Sequence, residues 1–266
     1  MKDIFNAKLL AAAVAIGFGM ASVPAGAVVL QDFTVDETSV EGAGGTFVAD
    51  KINGAYSEVV TFGAGTFNTV AYGDFGQYLS TDGTVNVTPI ELNNTYGMYA
   101  LFNGAGTFTG VNTDLDPDPE LFQFTFTSSS FNLYIDPDLD TSKALPGSAP
   151  GAVTLGNDGD DYLIGSASVI SSGTGLLVAG VGGFFDLMFE DFTLTNPDGT
   201  DYFISPDPFY IRVNVDGDFD SFIVAGTQNI NGDFSAVFQV PEPGSIALLG
   251  MGLLGMGMTL RRRKAA

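Results

Sequence analysis

Phe122-Gln-Phe-Thr-Phe-Thr127, followed closely by Phe131-Asn-Leu-Tyr-Ile-Asp136, alternates apolar and polar side chains residue by residue. A period of two places alternate side chains on opposite faces of an extended chain, so both runs read as half-buried β-strands. Runs of the same kind cover Phe185 to Leu194, Tyr210 to Asp216 and Phe234 to Val240. Asp82-Gly83, Asn103-Gly104, Asp198-Gly199, Asp216-Gly217 and Asn231-Gly232 favour tight reversals between strands. No helical period of useful length lies between Val28 and Val240. The expectation is an all-β body, an antiparallel β-sandwich of jelly-roll type, with many of the 23 phenylalanines in its core. Gly-Thr-Phe recurs at Gly45, Gly65 and Gly106, which fits hairpins of similar build better than a true repeat, since the flanking residues do not keep the period. The longest loop is expected at Ala144 to Gly151.

Both ends of the 266-residue chain depart from this pattern. Lys2 and Lys8 precede an apolar run from Leu9 to about Met20, which small residues close at Ala25-Gly26-Ala27. That order predicts a secretory signal helix over residues 1–27, cut after Ala27, with Ala25 and Ala27 as the small residues of the cleavage site. The run is shorter than the roughly 20 residues a permanent span needs. At the other end Pro241-Glu242-Pro243 precedes an apolar segment from Ser245 to Leu260, and Arg261, Arg262, Arg263 and Lys264 follow. About 16 residues make a helix ~24 Å long, a short transmembrane helix at best, and four glycines weaken it. The basic cluster would hold its end in the cytoplasm. On residue chemistry alone an ordinary tail anchor also fits.

The order of Pro241-Glu242-Pro243, short apolar helix and arginine cluster resembles the PEP-CTERM sorting signal. The resemblance covers residues 241–266 and implies handling by exosortase, a transpeptidase-like membrane protease, with Pro241, Glu242 and Pro243 as its recognition residues. It also implies a bacterium with an outer membrane, export through the inner membrane with transient residence there, and a final place at the cell surface or in the extracellular matrix. Hosts with this system generally make exopolysaccharide.

The body, residues 28–240, has the size of one domain with its own core. Its only bases are Lys51, Lys143 and Arg212; of 31 acidic residues only Asp3 and Glu242 lie in the ends, which leaves 29 against three and a formal charge of −26. Such a surface repels nucleic acid and anionic lipid and suits cations, neutral polymers, or anionic polymers bridged by divalent metal. The chain has no histidine, cysteine or tryptophan. Histidine-based triads and zinc sites built on imidazole or thiolate are therefore excluded, and packing must stabilise the body without disulfides.

Four acidic clusters are candidate Ca²⁺ ligands, because hard oxygen ligands at alternate loop positions can converge on that ion. They are Asp114 to Glu120; Asp136, Asp138 and Asp140; Asp158 and Asp160 within Asn157 to Asp161; and Asp216, Asp218 and Asp220. None completes an EF-hand: counting from Asp136, glycine is replaced by Thr141 and the closing glutamate by Gly147. Gly156 to Gly165 looks like one turn of a glycine-rich calcium repeat, but a single copy has no neighbour to complete the site. The other reading of all four is a solvated acidic loop.

Carboxylates are the only residues left for catalysis, with Glu58, Glu91, Glu120, Glu190 and Asp191 near strand-like sequence. A glycosidase needs two carboxyls about 5 to 10 Å apart in a cleft, and neighbours such as Glu190 and Asp191 point to opposite faces of a strand. Tyr56, Tyr72, Tyr78, Tyr96 and Tyr99 are the available sugar platforms, although core packing is their commoner use. The body is expected not to be an enzyme.

Asp32-Phe-Thr-Val-Asp-Glu37, Phe47 to Gly54, Tyr72 to Tyr78, Tyr96 to Phe102 and Phe131 to Asp136 resemble the flocculation-associated PEP-CTERM proteins of floc-forming bacteria. That resemblance implies a matrix protein supporting flocs or biofilm together with exopolysaccharide, and it offers no catalytic residues. The alternative is a secreted carbohydrate-binding protein or a carboxylate glycosidase.

Overall fold

The computed structural model describes residues 30–112 and 120–239. The strands are β1 (Phe33–Asp36), β2 (Thr46–Ala49), β3 (Lys51–Phe62), β4 (Thr66–Ser80), β5 (Val85–Asn86), β6 (Gly97–Val111), β7 (Leu121–Asp136), β8 (Ser142–Ala144), β9 (Thr154–Gly156), β10 (Tyr162–Ala167), β11 (Ile170–Val178), β12 (Gly182–Phe189), β13 (Thr193–Leu194), β14 (Phe203–Ser205), β15 (Arg212–Phe219) and β16 (Thr227–Gln239). A 3-10 turn at Glu37–Ser39 and a five-residue helix, α1 (Asp198–Tyr202), are the helical elements among the described residues. The signal helix and the C-terminal helix expected from the sequence lie outside the described residues, and no helix among the described residues is long and apolar enough to cross a membrane.

The all-β reading holds, but the jelly-roll sandwich gives way to a closed barrel. Eight strands run β3-β4-β6-β7-β11-β12-β15-β16, each antiparallel to the next, and β16 pairs back onto β3. Each neighbour is the next long strand in the chain, so this is an up-and-down barrel with small excursions between its staves. Period two shows which face of a strand is buried, but not whether the sheet splits into two layers or closes on itself. Closure is decided by β7, whose two halves pair with different partners: Phe131–Ile135 with β10, and Leu121–Thr125 with β11. A closed sheet exposes no free edge along its staves, which suits an exported protein with no disulfide.

Three of the five glycine pairs read as reversals lie inside strands. Asn103-Gly104 is in β6, Asp216-Gly217 in β15 and Asn231-Gly232 in β16. Asp82-Gly83 does make the turn between β4 and β5, and Asp198-Gly199 opens α1. The strand glycines face inward, and several stand opposite an aromatic ring: Gly232 opposite Tyr56, Gly217 opposite Phe185, Gly54 opposite Phe234, and Gly106 opposite Phe67. A Cβ added at Gly232, Gly217, Gly54 or Gly106 would lie 2.7 Å from ring atoms of its partner. A backbone carbonyl oxygen lies closer still at each of the four, so ring and neighbouring backbone together occupy the space a side chain would otherwise fill, which lets an eight-stave barrel hold large residues inside.

The two ends of the barrel are finished differently. At one end the small sheet β14-β1-β2 lies across the opening, and Phe33 packs edge-to-face on Phe203 and Phe238 with centroids 5.8 and 5.2 Å apart. At the other end the half-buried rings of Phe62, Phe108 and Phe222 gather with the buried Phe124 around Val60 and Ile230. On the outer wall, the loop expected at Ala144–Gly151 lies over Val59 and Val70 through Leu145 and Ala149, with the Ala149 N–H donating to Thr61 Oγ1 at 2.9 Å.

Candidate functional site

The sorting and cleavage residues Ala25, Ala27, Pro241, Glu242, Pro243, Arg261, Arg262 and Arg263 lie outside the described residues. What the structure fixes is their surroundings in the chain: β16 is barrel strand up to Gln239.

The acidic clusters become neighbours without becoming a chelate. Pairing of β8 with β9 brings the loop after Asp136 beside the loop at Asn157 to Asp161. Asp136 is buried and accepts the N–H groups of Asp140 and Thr141 at 3.2 and 3.0 Å, so it closes its own turn. Asp161 accepts from Thr141 Oγ1 at 2.8 Å and from the Tyr99 hydroxyl. Asp138, Asp140, Asp158 and Asp160 point to solvent. Desolvation, with the charges of Asp160, Asp136, Asp138 and Asp161, holds the Asp140 carboxyl above its ordinary value. Next to them Glu41, Asp138, Asp160, Asp198 and Asp201 rim a surface hollow of about 410 Å³. Asp216 and Asp218 alternate along the outer face of β15, where Asp216 stands opposite Asp186 and Asp218 accepts the Asp233 N–H at 3.3 Å; Asp220 lies past the strand end. Asp114, Asp116 and Asp118 are outside the described residues. Among the described residues no three carboxylates form a group that could hold a metal ion. The sequence clusters are divided between turn closure and outward strand positions.

The carboxylates offered for catalysis also take separate places. Glu190 is exposed and paired with Arg212 at 2.6 Å. Asp191 accepts the N–H groups of Ser168 and Val169 at 2.9 and 2.8 Å, which bridges the kink between β10 and β11. Burial alone would raise its carboxyl, but these hydrogen bonds prevail and lower it. Glu91 accepts from Thr95 Oγ1 at 2.7 Å and gives its own N–H to Glu37. Glu120 sits just before β7. The suggested sugar platforms are unavailable for the most part, since Tyr56, Tyr78, Tyr96 and Tyr99 are buried and Tyr72 is half-buried.

Glu58 is the exception, because its side chain faces the lumen. A cavity of about 140 Å³ runs there among phenylalanines and aliphatic residues, and Glu58 is the one carboxylate among its lining residues. Thr69 Oγ1 donates to Glu58, and burial pushes the carboxyl up to about 7. Thr69 stands opposite Gly104, and Gly104 opposite Ser129, so one inward row carries Glu58's partner and a second hydroxyl. Ser129 is 6% exposed, and its Oγ has no hydrogen-bond partner among the described residues. Periodicity had marked Glu58 as near a strand; its inward aim needed the barrel register.

A second buried polar group lies under the end sheet. Glu37 accepts the Glu91 N–H and the Tyr96 hydroxyl, both at 2.9 Å. The Tyr202 hydroxyl meets those of Tyr96 and Tyr78 at 2.6 and 2.7 Å. Each phenol has one proton; with that of Tyr96 on Glu37, Tyr202 must donate to Tyr96, and Tyr78 to Tyr202. Burial holds Tyr78 and Tyr202 protonated far above the usual phenol range. The chain ties β1, β4, β6 and α1 together, which is a structural task. Tyr202→Phe leaves the Tyr78 proton only the weak acceptor Met98 Sδ at 3.8 Å and takes the donor from Tyr96, and is expected to cost about 1–2 kcal/mol in urea unfolding. Unchanged stability would mean that the network does not hold the end sheet.

Comparison with known families matches residues 239–264 to the PEP-CTERM protein-sorting motif. Searches of curated proteins and of solved structures returned no significant match. The chain thus carries a PEP-CTERM motif, which indicates an exported protein sorted by exosortase, with a surface or extracellular destination. The match begins at Gln239, the last residue of β16.

Proposed function

We propose that this protein is a non-catalytic component of the extracellular matrix that supports floc or biofilm formation together with exopolysaccharide. The observation that carries this reading is the junction at Gln239: the sorting motif starts where the last barrel stave ends. Cleavage at Pro241 to Pro243 would leave every described strand with the exported part. The barrel offers a matrix two things, a closed sheet without sticky edges and an outer surface rich in carboxylates. Like charges on protein and anionic polysaccharide repel over a Debye length of about 8 Å in physiological salt. Divalent cations reverse this by sitting between Asp138, Asp140, Asp158 or Asp160 and a uronate carboxylate. Such contacts are individually weak and act through their number.

The test is sedimentation of the protein with isolated exopolysaccharide, titrated with calcium and then with a chelator. Co-sedimentation that needs millimolar calcium and reverses with chelator is expected. Calcium-independent co-sedimentation would favour direct sugar binding, and absence of co-sedimentation in both conditions would refute the matrix role.

A further inference from the structure

We propose that the barrel lumen is a binding site for a small apolar amine, a single ring or short alkyl chain lying among the phenylalanines with its ammonium group on Glu58. This site is independent of the matrix role.

Size comes first. The cavity is about 140 Å³, close to the ~150 Å³ known to accept benzene when lined by leucine, isoleucine and phenylalanine. Eight-stranded barrels are wide enough either to fill with side chains or to keep room for one small ligand. Here the inward Gly175 and the small Ala71 and Ala100 leave that room.

Polarity then selects the head group. A carboxylate inside an apolar cavity is costly unless a cation or several donors meet it. Glu58 has one hydroxyl donor, Thr69, and among the described residues no lysine or arginine lines the cavity. A cation answers that need: an ammonium gives a charge-assisted hydrogen bond to Glu58 and leaves its apolar part among the rings. An anionic or purely hydrocarbon guest would leave the carboxyl unmet.

The way in is the end away from the β14-β1-β2 sheet. Phe62, Phe108 and Phe222 are half-buried there, and Phe222 belongs to the strand-free connection between β15 and β16. Its neighbour Ile223 is 73% exposed. Displacing rings on that connection opens the lumen without breaking a stave.

The experiment is calorimetric titration of the full chain at pH 8 with benzylamine, benzyl alcohol and toluene. Benzylamine should bind one to one and more tightly than its two neutral analogues. Glu58→Gln should weaken benzylamine by about tenfold or more, the loss of one charge-assisted hydrogen bond, and leave toluene unchanged. Ala100→Leu fills the lumen from a different stave and should abolish benzylamine binding while the circular dichroism spectrum stays that of the barrel. Lowering the pH through 7 should weaken benzylamine as Glu58 takes up its proton. The proposal is overturned if benzylamine does not bind, if Glu58→Gln binds it as well as the parent, or if toluene binds as tightly as benzylamine.

Discussion

Replacing Gly217 by valine is expected to destroy the folded barrel or to destabilise it by more than about 3 kcal/mol, the upper range for overpacking a closed core. Gly217 lies opposite Phe185 on one side and Phe234 on the other. Its first added carbon would stand 2.4 Å from the Asp233 carbonyl oxygen and 2.7 Å from two atoms of the Phe185 ring. That ring cannot retreat easily, because it packs at 87° against Tyr56 with centroids 5.6 Å apart. The objection to valine is one of space and not of backbone angle, since Gly217 is in extended strand. Two comparisons separate these causes. Gly147 has nothing within 4 Å of an added carbon, so Gly147→Val should change stability by less than about 0.5 kcal/mol. Phe185→Ala removes the ring contact and leaves the Asp233 carbonyl in place, so the double variant with Gly217→Val should be more stable than the sum of the two single losses predicts while staying well below the parent. Thermal or urea unfolding followed by circular dichroism reads all four proteins. A Gly217→Val protein as stable as its parent would contradict the packing described for the lumen.

The second large effect is a pH dependence located in one residue. Burial raises the Glu58 carboxyl in the folded protein from 4.5 to about 7. A carboxyl raised on folding binds its proton more tightly in the native state, so its contribution is fully present below pH 4.5 and is lost as pH rises towards 7. Above 7 the charged form remains a constant burden, at most about 3 kcal/mol for a shift of this size. Glu58→Gln removes the titration and keeps the shape. The variant should therefore be more stable than the parent at pH 8, by up to that amount, and nearly equal to it at pH 4.5. Other carboxyls raised by burial, including Asp50 and Asp216, titrate in both proteins and cancel in the difference. A difference between the two proteins that does not vary across this window would place Glu58 in water and not in the lumen.

How much of this was legible in the sequence depends on the range of the interaction. The alternation around Phe122 and Phe131 identified β7 correctly because period two is a local property. It did not reveal that the two runs are halves of one strand, each with its own partner, and that pairing is what closes the barrel. Glycine misled for a similar reason. Asp82-Gly83 has the positive backbone angles of a turn, whereas Asn231-Gly232 is extended and makes space for Tyr56. The same dipeptide chemistry serves both purposes, and only the ring across the strand tells them apart. Acidic residues at alternate positions looked convergent, but along β15 Asp216 and Asp218 share an outward face, and Asp136 turns inward to close a loop. Glu58 was visible only as a strand carboxylate; its isolation among phenylalanines is a property of the closed lumen. The C-terminal sorting signal was the most legible feature, since it is linear and requires no tertiary context, and the family match confirms it.

The account rests most directly on where the mature chain ends, because the proposed matrix role requires sorting at Pro241 to Pro243. Mass spectrometry of the extracellular fraction is the decisive measurement. Peptides whose C-terminus lies near Val240, directly after β16, are expected, with none reaching Arg261. Extracellular protein that retains Arg261 to Lys264 would contradict exosortase processing and with it the proposed role.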